Sequence, residues 1–409
     1  MLSAAYVTAR GRLREAPGRR PMALHGRQLI PLDEAELVPL PRGAVLSMLP
    51  ERTALSDEGP LPGAPAAALL PIGFTRTLLP AYVPVNSGKG AAYLPLFGYA
   101  AVAFKHGEPH VAAMPTDDPR PWQHPDPGYR RLRGLIRKRM AQQPAGSAEH
   151  SLLAHIAHCA LTYECRSAQH LFYGEGEAAL PSSPTCNAAC VGCISDQPEP
   201  DLQPHARLDF LPDLDESVEL AVRHLETAPR AMISFGQGCE GEPLLNNRNV
   251  EIVRRIRQRT SKGVINVNTN GSRPTMLRRL IEAGLGSIRV SMFSARDEVF
   301  RRYYRPVRYS LEHVRECLRL ASSNGLFTSV NLLTFPGITD DEGEVEAIVE
   351  MLTSTGTDLV QLRNLNIDPE QLFASMAGLE FRPIGIRAMA ERFKTAGLAI
   401  GSYTHMRHV

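Results

Sequence analysis

The sequence predicts an α/β fold, a barrel or partial barrel of six βα units behind a small β-rich N-terminal domain. Short apolar runs recur in the second half: "AMISFG" (231–236), "VINVNTN" (264–270), "SIRVSMF" (287–293), "TSVNLLTF" (328–335) and "DLVQLRN" (358–364). Helix-period segments lie between them, and a further short strand is expected just before Cys186. Strands and helices in strict alternation require a parallel sheet with right-handed crossovers, its helices covering one face.

Proline and glycine are dense over residues 1–128, and β-like runs such as "AVLSML" and "YAAVAF" lie between turns. "YAAVAFKHGEPHVAAM" reads as a hairpin around Gly107. This domain carries no chemical signature, and it closes in "TDDPRPWQHPDPG" (116–128), which has the composition of a linker. Residues 129–175 form a basic connector with a helical stretch at about 147–172. The barrel is expected over 176–400, with 401–409 as a tail.

Within the barrel, Val218, Ala221, Val222 and Leu225 keep the spacing of one helical face, as do Val345, Ile348, Val349 and Leu352. Thr339 with Glu342 reads as a capping box opening the second of these helices. Side chains alternate across a strand. Ile265 and Val267 therefore oppose Asn266 and Asn268, and Ile288 and Val290 oppose Arg289 and Ser291. Val330 and Leu332 oppose Asn331, and Val360 and Leu362 oppose Gln361 and Arg363. With the apolar set under the helices, the polar set lines the interior, where a closed eight-stranded barrel would place branched apolar residues. The interior is thus expected to hold a polar ligand, the bland alternative being a sheet with one face in water.

The chain has 409 residues, enough for two or three domains, and its 43% hydrophobic and 22% charged content suits a core-forming protein. The N-terminal apolar run is short for a secretory signal, and Pro71, Arg76 and Pro80 break the most apolar later stretch. A cytoplasmic protein with reduced cysteines is expected. A net charge of +2 implies no particular partner. "RRLRGLIRKR" (130–139) could touch phosphate, but no aromatics are interleaved to stack on bases. A solvated helix face is the favoured reading, and nucleic-acid binding the weaker one.

"CNAACVGC" concentrates three of the seven cysteines, Cys186, Cys190 and Cys193, in one short loop. Closed zinc sites and electron-transfer cubanes want four protein ligands. Cys317 shares an apolar stripe with Leu311, Val314, Leu318 and Ala321, and Cys159 and Cys165 lie in the preceding helical stretch. All three read as core thiols. Cys239, in a strand-end loop, is the rival fourth ligand. With it, the alternative is a non-catalytic iron–sulfur or zinc protein with a redox or sensing role. Without it, one iron keeps an open position.

The C-x3-C-x2-C loop after a first strand resembles the radical S-adenosylmethionine superfamily, over roughly residues 176–400. That resemblance implies a partial (βα)6, TIM-like barrel and an enzyme with a [4Fe–4S] cluster and S-adenosylmethionine. Cys186, Cys190 and Cys193 would ligate three irons, and the cofactor's amino and carboxylate groups would chelate the fourth. Gly241, Glu242 and Pro243 in "GCEGEPLL" are similar to the family's Gly-Gly-Glu-Pro segment, with Glu240 in place of its first glycine. "NTNG" (268–271) places Asn268 near the cofactor, Ser291 matches a serine that contacts it, and "FPGITDDE" (335–342) places Gly337 in the adenine region. Gly192 stands where most members carry an aromatic. Reductive cleavage would give a 5′-deoxyadenosyl radical that takes hydrogen from an unidentified substrate. Asn266, Arg289, Asn331, Gln361 and Arg363 are the candidate substrate residues. The resemblance also implies a one-electron reductant of flavodoxin or ferredoxin type, a small-molecule or peptide substrate and no membrane. No cysteine follows Cys317, which argues against the methyl-carrying branch and against those with a cysteine-rich C-terminal domain, and no cobalamin signature precedes the barrel.

Overall fold

The computed structural model describes residues 2–85, 93–94, 99–118, 129–142, 151–197 and 203–401. Most of the linker composition at 116–128, part of the connector and all but Gly401 of the expected tail lie outside these residues.

The N-terminal region is β-rich, as expected. Its largest sheet has eight strands, with Leu2–Val7 pairing antiparallel to Leu13–Ala16, Ala64–Leu69 and Ala100–Lys105. The hairpin around Gly107 forms between Ala100–Lys105 and Glu108–Pro115, with Val102 opposite Val111. Small side chains let the sheet layers approach: Ala5, Ala66, Ala68, Ala100 and Ala113 share one buried cluster with Val7, Val102 and Val111.

The connector forms three helices, α1 (Arg130–Met140), α2 (Leu152–Thr162) and α3 (Arg166–Tyr173). In α1, Leu132 and Ile136 are buried one turn apart, while Arg130, Arg131, Arg133, Arg137 and Lys138 are exposed. Arg131 stacks over the Tyr173 ring at 5.6 Å, and Arg139 donates to the Leu171 carbonyl at 2.9 Å. Helix α2 starts where Ser151 accepts from the Ala154 amide, and Glu216 accepts from the Leu152 and Leu153 amides. The connector is part of the barrel's wall, since Leu132, Ile156 and Leu171 join the same buried cluster as Ile233 and Val253.

The barrel has seven parallel strands in sequential order: β1 (Glu177–Ala179), β2 (Met232–Phe235), β3 (Val264–Thr269), β4 (Ser287–Met292), β5 (Phe327–Thr334), β6 (Leu359–Asn364) and β7 (Ala399–Gly401). Six were expected; "AIG" adds one more because it pairs with Leu359 to Gln361 at the edge. Among the described residues β1 and β7 do not pair, so the barrel is open. Its helices are α4 (Leu214–Thr227), α5 (Arg248–Arg259), α6 (Pro274–Ala283), α7 (Asp297–Tyr304), α8 (Leu311–Ser323), α9 (Glu342–Ser354), α10 (Pro369–Ser375) and α11 (Ile386–Thr395). The apolar stripe of α4 is buried, as are Val345, Ile348 and Leu352 of α9.

The expected capping box does not form. Asp341 caps α9 by accepting from the Glu344 amide at 3.1 Å. The Thr339 hydroxyl instead closes the preceding turn, against the Phe335 amide and carbonyl. An aspartate directly before the helix reaches its first turn better than a threonine two residues further back.

The N-terminal domain rests on the segments that follow β5 and β6. His25 Nε2 meets Asp340 at 2.6 Å, and the fully buried Arg52 meets Asp368 at 2.8 Å. The Leu94 amide donates to the same Asp368 carboxylate, and Tyr82 donates to Glu370 at 3.0 Å. In a parallel barrel these are the segments at the C-terminal ends of the strands, where the side chains of catalysis gather. The domain therefore builds part of the barrel's rim.

Candidate active site

The cysteine loop follows β1 and is moored along its length. Ala189 and Val191 donate their amides to the Tyr304 and Tyr303 carbonyls of α7, and Val307 donates back to the Asn187 carbonyl. Gln197 Nε2 ties the loop to itself at the Val191 and Cys193 carbonyls, 3.2 and 2.6 Å away. Cys186, Cys190 and Cys193 are half-buried, and none forms a disulfide. At Gly192 a Cβ would lie 2.9 Å from the Tyr303 hydroxyl and 3.0 Å from Leu365. An aromatic has no room there. Tyr303, stacked on Phe293 at 4.2 Å, fills the space instead.

The electrostatics of the loop fit a cationic cluster. Burial, and then the Glu242 carboxylate, push the Cys186 thiol up to about 11. Burial and then the Cys193 and Cys186 sulfurs raise Cys190 well above the usual thiol range. The neighbouring sulfurs thus disfavour ionisation of Cys186 and Cys190, and iron bound among them would reverse that effect. Arg207 supplies a fixed counter-charge: its Nη2 donates to Cys193 Sγ at 3.6 Å while Nη1 pairs with Asp196 at 3.0 Å.

The loops after β2 and β3 are stitched to this one. The Gly241 amide donates to the Ser183 carbonyl at 2.7 Å, and the Glu242 amide to the Thr185 carbonyl at 2.8 Å. A Cβ on Gly241 would sit 2.0 Å from that Thr185 oxygen, so only glycine allows the approach. Glu242 is buried and accepts from the Leu244 and Asn270 amides and the Thr269 hydroxyl, at 2.9, 2.7 and 2.5 Å. Burial nevertheless raises its carboxyl to about 7. Pro243 opens the short turn that follows. Asn270 reaches back to Asn187 Oδ1 at 2.9 Å. Three strand-end loops therefore meet at Glu242.

Glu240 does similar work. Its carboxylate accepts from the Ser182 and Ser183 amides after β1 and the Gly236 and Gln237 amides after β2, at 2.6–2.9 Å. A residue that read as a departure from a glycine motif is a clamp between two loops. Its role depends on amides 57 and 58 residues away, so only the acidic side chain beside the motif could have signalled it.

The strand registers place the polar set on one face, as the alternation implied. Ser234 pairs with Asn266, Asn266 with Ser287, Asn268 with Arg289, and Asn331 with Ser291 and Gln361. That face is the interior. Arg289 on β4 donates to both carboxylate oxygens of Glu177 on β1, at 3.0 and 3.1 Å, a contact between strands three apart that only an interior crossing allows. Asn266 donates to Ser234 and accepts from Ser287, and Asn268 accepts from Arg289 and donates to the Phe235 carbonyl. Asn266, Asn268 and Arg289 thus belong to one buried network with the unforeseen Glu177. Gln361 is buried, whereas Ser291 and Asn331, in register with it, and Arg363, two residues further along β6, are half-buried.

Gly337 lies at the joint with the N-terminal domain. Its φ is +90°, its amide donates to Asp340 at 2.6 Å, and a Cβ would stand 2.1 Å from the Gly26 Cα. Arg76, from the N-terminal domain, also went unrecognised. It is buried beside Phe335, donates to the Leu365 carbonyl at 2.9 Å, and keeps Nε and Nη1 without a partner among the described residues.

Cys317 is buried in α8 as expected and donates to the Gly271 carbonyl. Cys239 does not complete the triplet. It lies with Cys159 and His155, their ligand atoms within 4.8 Å of one another.

Residues 180–351 match the model of the Radical SAM superfamily. This segment is a radical SAM domain. The superfamily works with a [4Fe–4S] cluster and S-adenosylmethionine, cleaving the latter reductively, and its members are enzymes. Similar solved structures include the hydrogenase maturase HydG from Carboxydothermus hydrogenoformans, at 14% identity and TM-score 0.36 over 66% of this chain and 70% of that one. Coproporphyrinogen III oxidase from Escherichia coli is 12% identical, with TM-score 0.35 over 55% and 54%. SuiB from Streptococcus suis, bound to its precursor peptide SuiA, is 9% identical, with TM-score 0.40 over 61% and 55%. No curated protein matches this chain. No described helix is long and apolar enough to cross a membrane.

Proposed function

We propose that the chain abstracts hydrogen from a polar substrate held inside the barrel. Cys186, Cys190 and Cys193 would hold the cluster, and Gly241, Glu242, Pro243, Asn268, Ser291 and Gly337 are assigned to the S-adenosylmethionine side. When bound, cluster and cofactor supply reductive cleavage of the sulfonium and a 5′-deoxyadenosyl radical. The convergence of the three strand-end loops on Glu242 carries this reading, because it fixes the cysteine loop beside the glycine–glutamate loop before any ligand enters.

The chain's own residues bind, orient and exclude water. Glu242 and Glu240 hold backbone amides so that the rim keeps its shape. Asn331, Gln361 and Arg363, toward the strand ends, are the candidates to meet the substrate. Asn266 and Arg289 would act beneath them, Arg289 fixed by Glu177. The N-terminal domain restricts access to the rim, which protects radical chemistry from solvent. A one-electron donor of flavodoxin or ferredoxin type is the expected partner.

The test is anaerobic reconstitution with iron and sulfide, then dithionite and S-adenosylmethionine, with 5′-deoxyadenosine read by mass spectrometry. Cys186→Ala, Cys190→Ala and Cys193→Ala should each lose iron and product, and Cys317→Ala should keep both. A fully assembled cluster that yields no 5′-deoxyadenosine would end the proposal.

A further inference from the structure

We propose that His155, Cys159 and Cys239 form a second metal site that binds zinc and ties helix α2 to the loop after β2. His155 and Cys159 stand one turn apart on the same face of α2. Cys239 comes from 80 residues further along the chain, in the loop that carries Glu240 and Glu242. Its carbonyl is held by the Leu208 amide at 2.7 Å. The three ligand atoms lie within 4.8 Å of one another.

The distances suit one metal ion. With zinc–sulfur and zinc–nitrogen bonds of about 2.3 and 2.05 Å, a tetrahedral S–Zn–N edge is about 3.6 Å. Cys159 Sγ and His155 Nε2 are 3.6 Å apart. Two thiolates and a neutral imidazole bring a divalent ion to zero net charge, which removes the main cost of placing it in a buried site. Cys159 and Cys239 are buried, and the half-buried His155 opens the site to an arriving ion. Single buried cysteines are ordinary core residues. Two thiols and an imidazole turned toward one point are not. The fourth tetrahedral corner falls to water.

The site is separate from the cluster. Zinc here would brace the loop after β2 from outside the barrel, while the Cys186 loop holds it from the rim. It shares no ligand with the proposed active site, so either assignment can fail alone.

The experiment uses the full-length chain, purified anaerobically, with zinc and iron counted by mass spectrometry and cobalt(II) as an optical probe. Wild type should carry about one zinc per chain, and cobalt should give thiolate charge-transfer absorption. Cys239→Ser and His155→Asn should lose at least nine-tenths of the zinc, with iron retained. The triple variant Cys186→Ala/Cys190→Ala/Cys193→Ala should do the reverse, which also guards against misfolding as the cause. The proposal is overturned if wild type expressed with ample zinc carries none and gives no cobalt–thiolate band. Retention of zinc by Cys239→Ser overturns it too, as does a Cys159–Cys239 disulfide in the anaerobic protein.

Discussion

Glu177 and Arg289 meet across the barrel interior in a two-point ion pair, Nη1–Oε1 at 3.0 Å and Nη2–Oε2 at 3.1 Å. Burial alone would raise the Glu177 carboxyl. The Arg289 guanidinium and the Ser234 hydroxyl outweigh it and hold the group below the usual carboxylate range. Removing one partner of such a pair costs roughly 3–5 kcal/mol, while apolar replacement of both costs far less. Glu177→Ala should therefore be strongly destabilised in denaturant titrations, and Glu177→Leu/Arg289→Met should recover most of the loss. Simple additivity of the two single changes would contradict the crossing.

At Gly192 the side-chain space belongs to Tyr303 and Leu365. Gly192→Tyr, restoring the aromatic common at this position, should overpack the loop by about 1–3 kcal/mol and lower the iron content after reconstitution. Gly192→Ala should do less of both. Wild-type iron loading and melting temperature in Gly192→Tyr would show that the loop has slack the contacts deny.

Gly337 combines a left-handed φ with contact against the Gly26 backbone. Gly337→Ala must strain its own dihedrals and push the Gly26 backbone away, at a cost of about 2 kcal/mol or more. Limited proteolysis should cut between the N-terminal domain and the barrel sooner than in wild type. An unchanged digestion pattern would argue that the two glycines can part freely.

Glu344 gives a pH signature. It is buried in α9, accepts from the Ala295 amide and Ser294 hydroxyl, and burial raises its carboxyl from 4.5 to about 7. The folded state thus holds a proton that the unfolded chain releases near pH 4.5. This contribution is complete below that pH and fades as pH rises through 7, by on the order of 3 kcal/mol. Glu344→Gln should flatten the fall in stability between pH 5 and pH 8 in thermal melts. An equal slope in both proteins would refute this.

The parts of the fold that follow from period were readable in the chain. Asn266 and Asn268 alternating with Ile265 and Val267 implied an inward polar face, and the registers place them there. The α4 stripe was readable for the same reason. What failed depends on three-dimensional neighbours. "AIG" is too short to announce a strand until β6 lies beside it. Thr339 lost the cap to Asp341 because two acidic and hydroxyl residues competed within one turn. Cys239 stayed open as a rival ligand for the triplet, since spacing along the chain cannot show that α2 brings Cys159 and His155 to it.

Glu240 and Glu242 between them collect six backbone amides from the segments after β1, β2 and β3. Much of the conformational freedom those segments would otherwise surrender on meeting a ligand is already gone in the folded chain. Association at this rim should therefore carry a small entropic penalty, and affinity should depend on the fit of the incoming molecule more than on any closing movement of the protein.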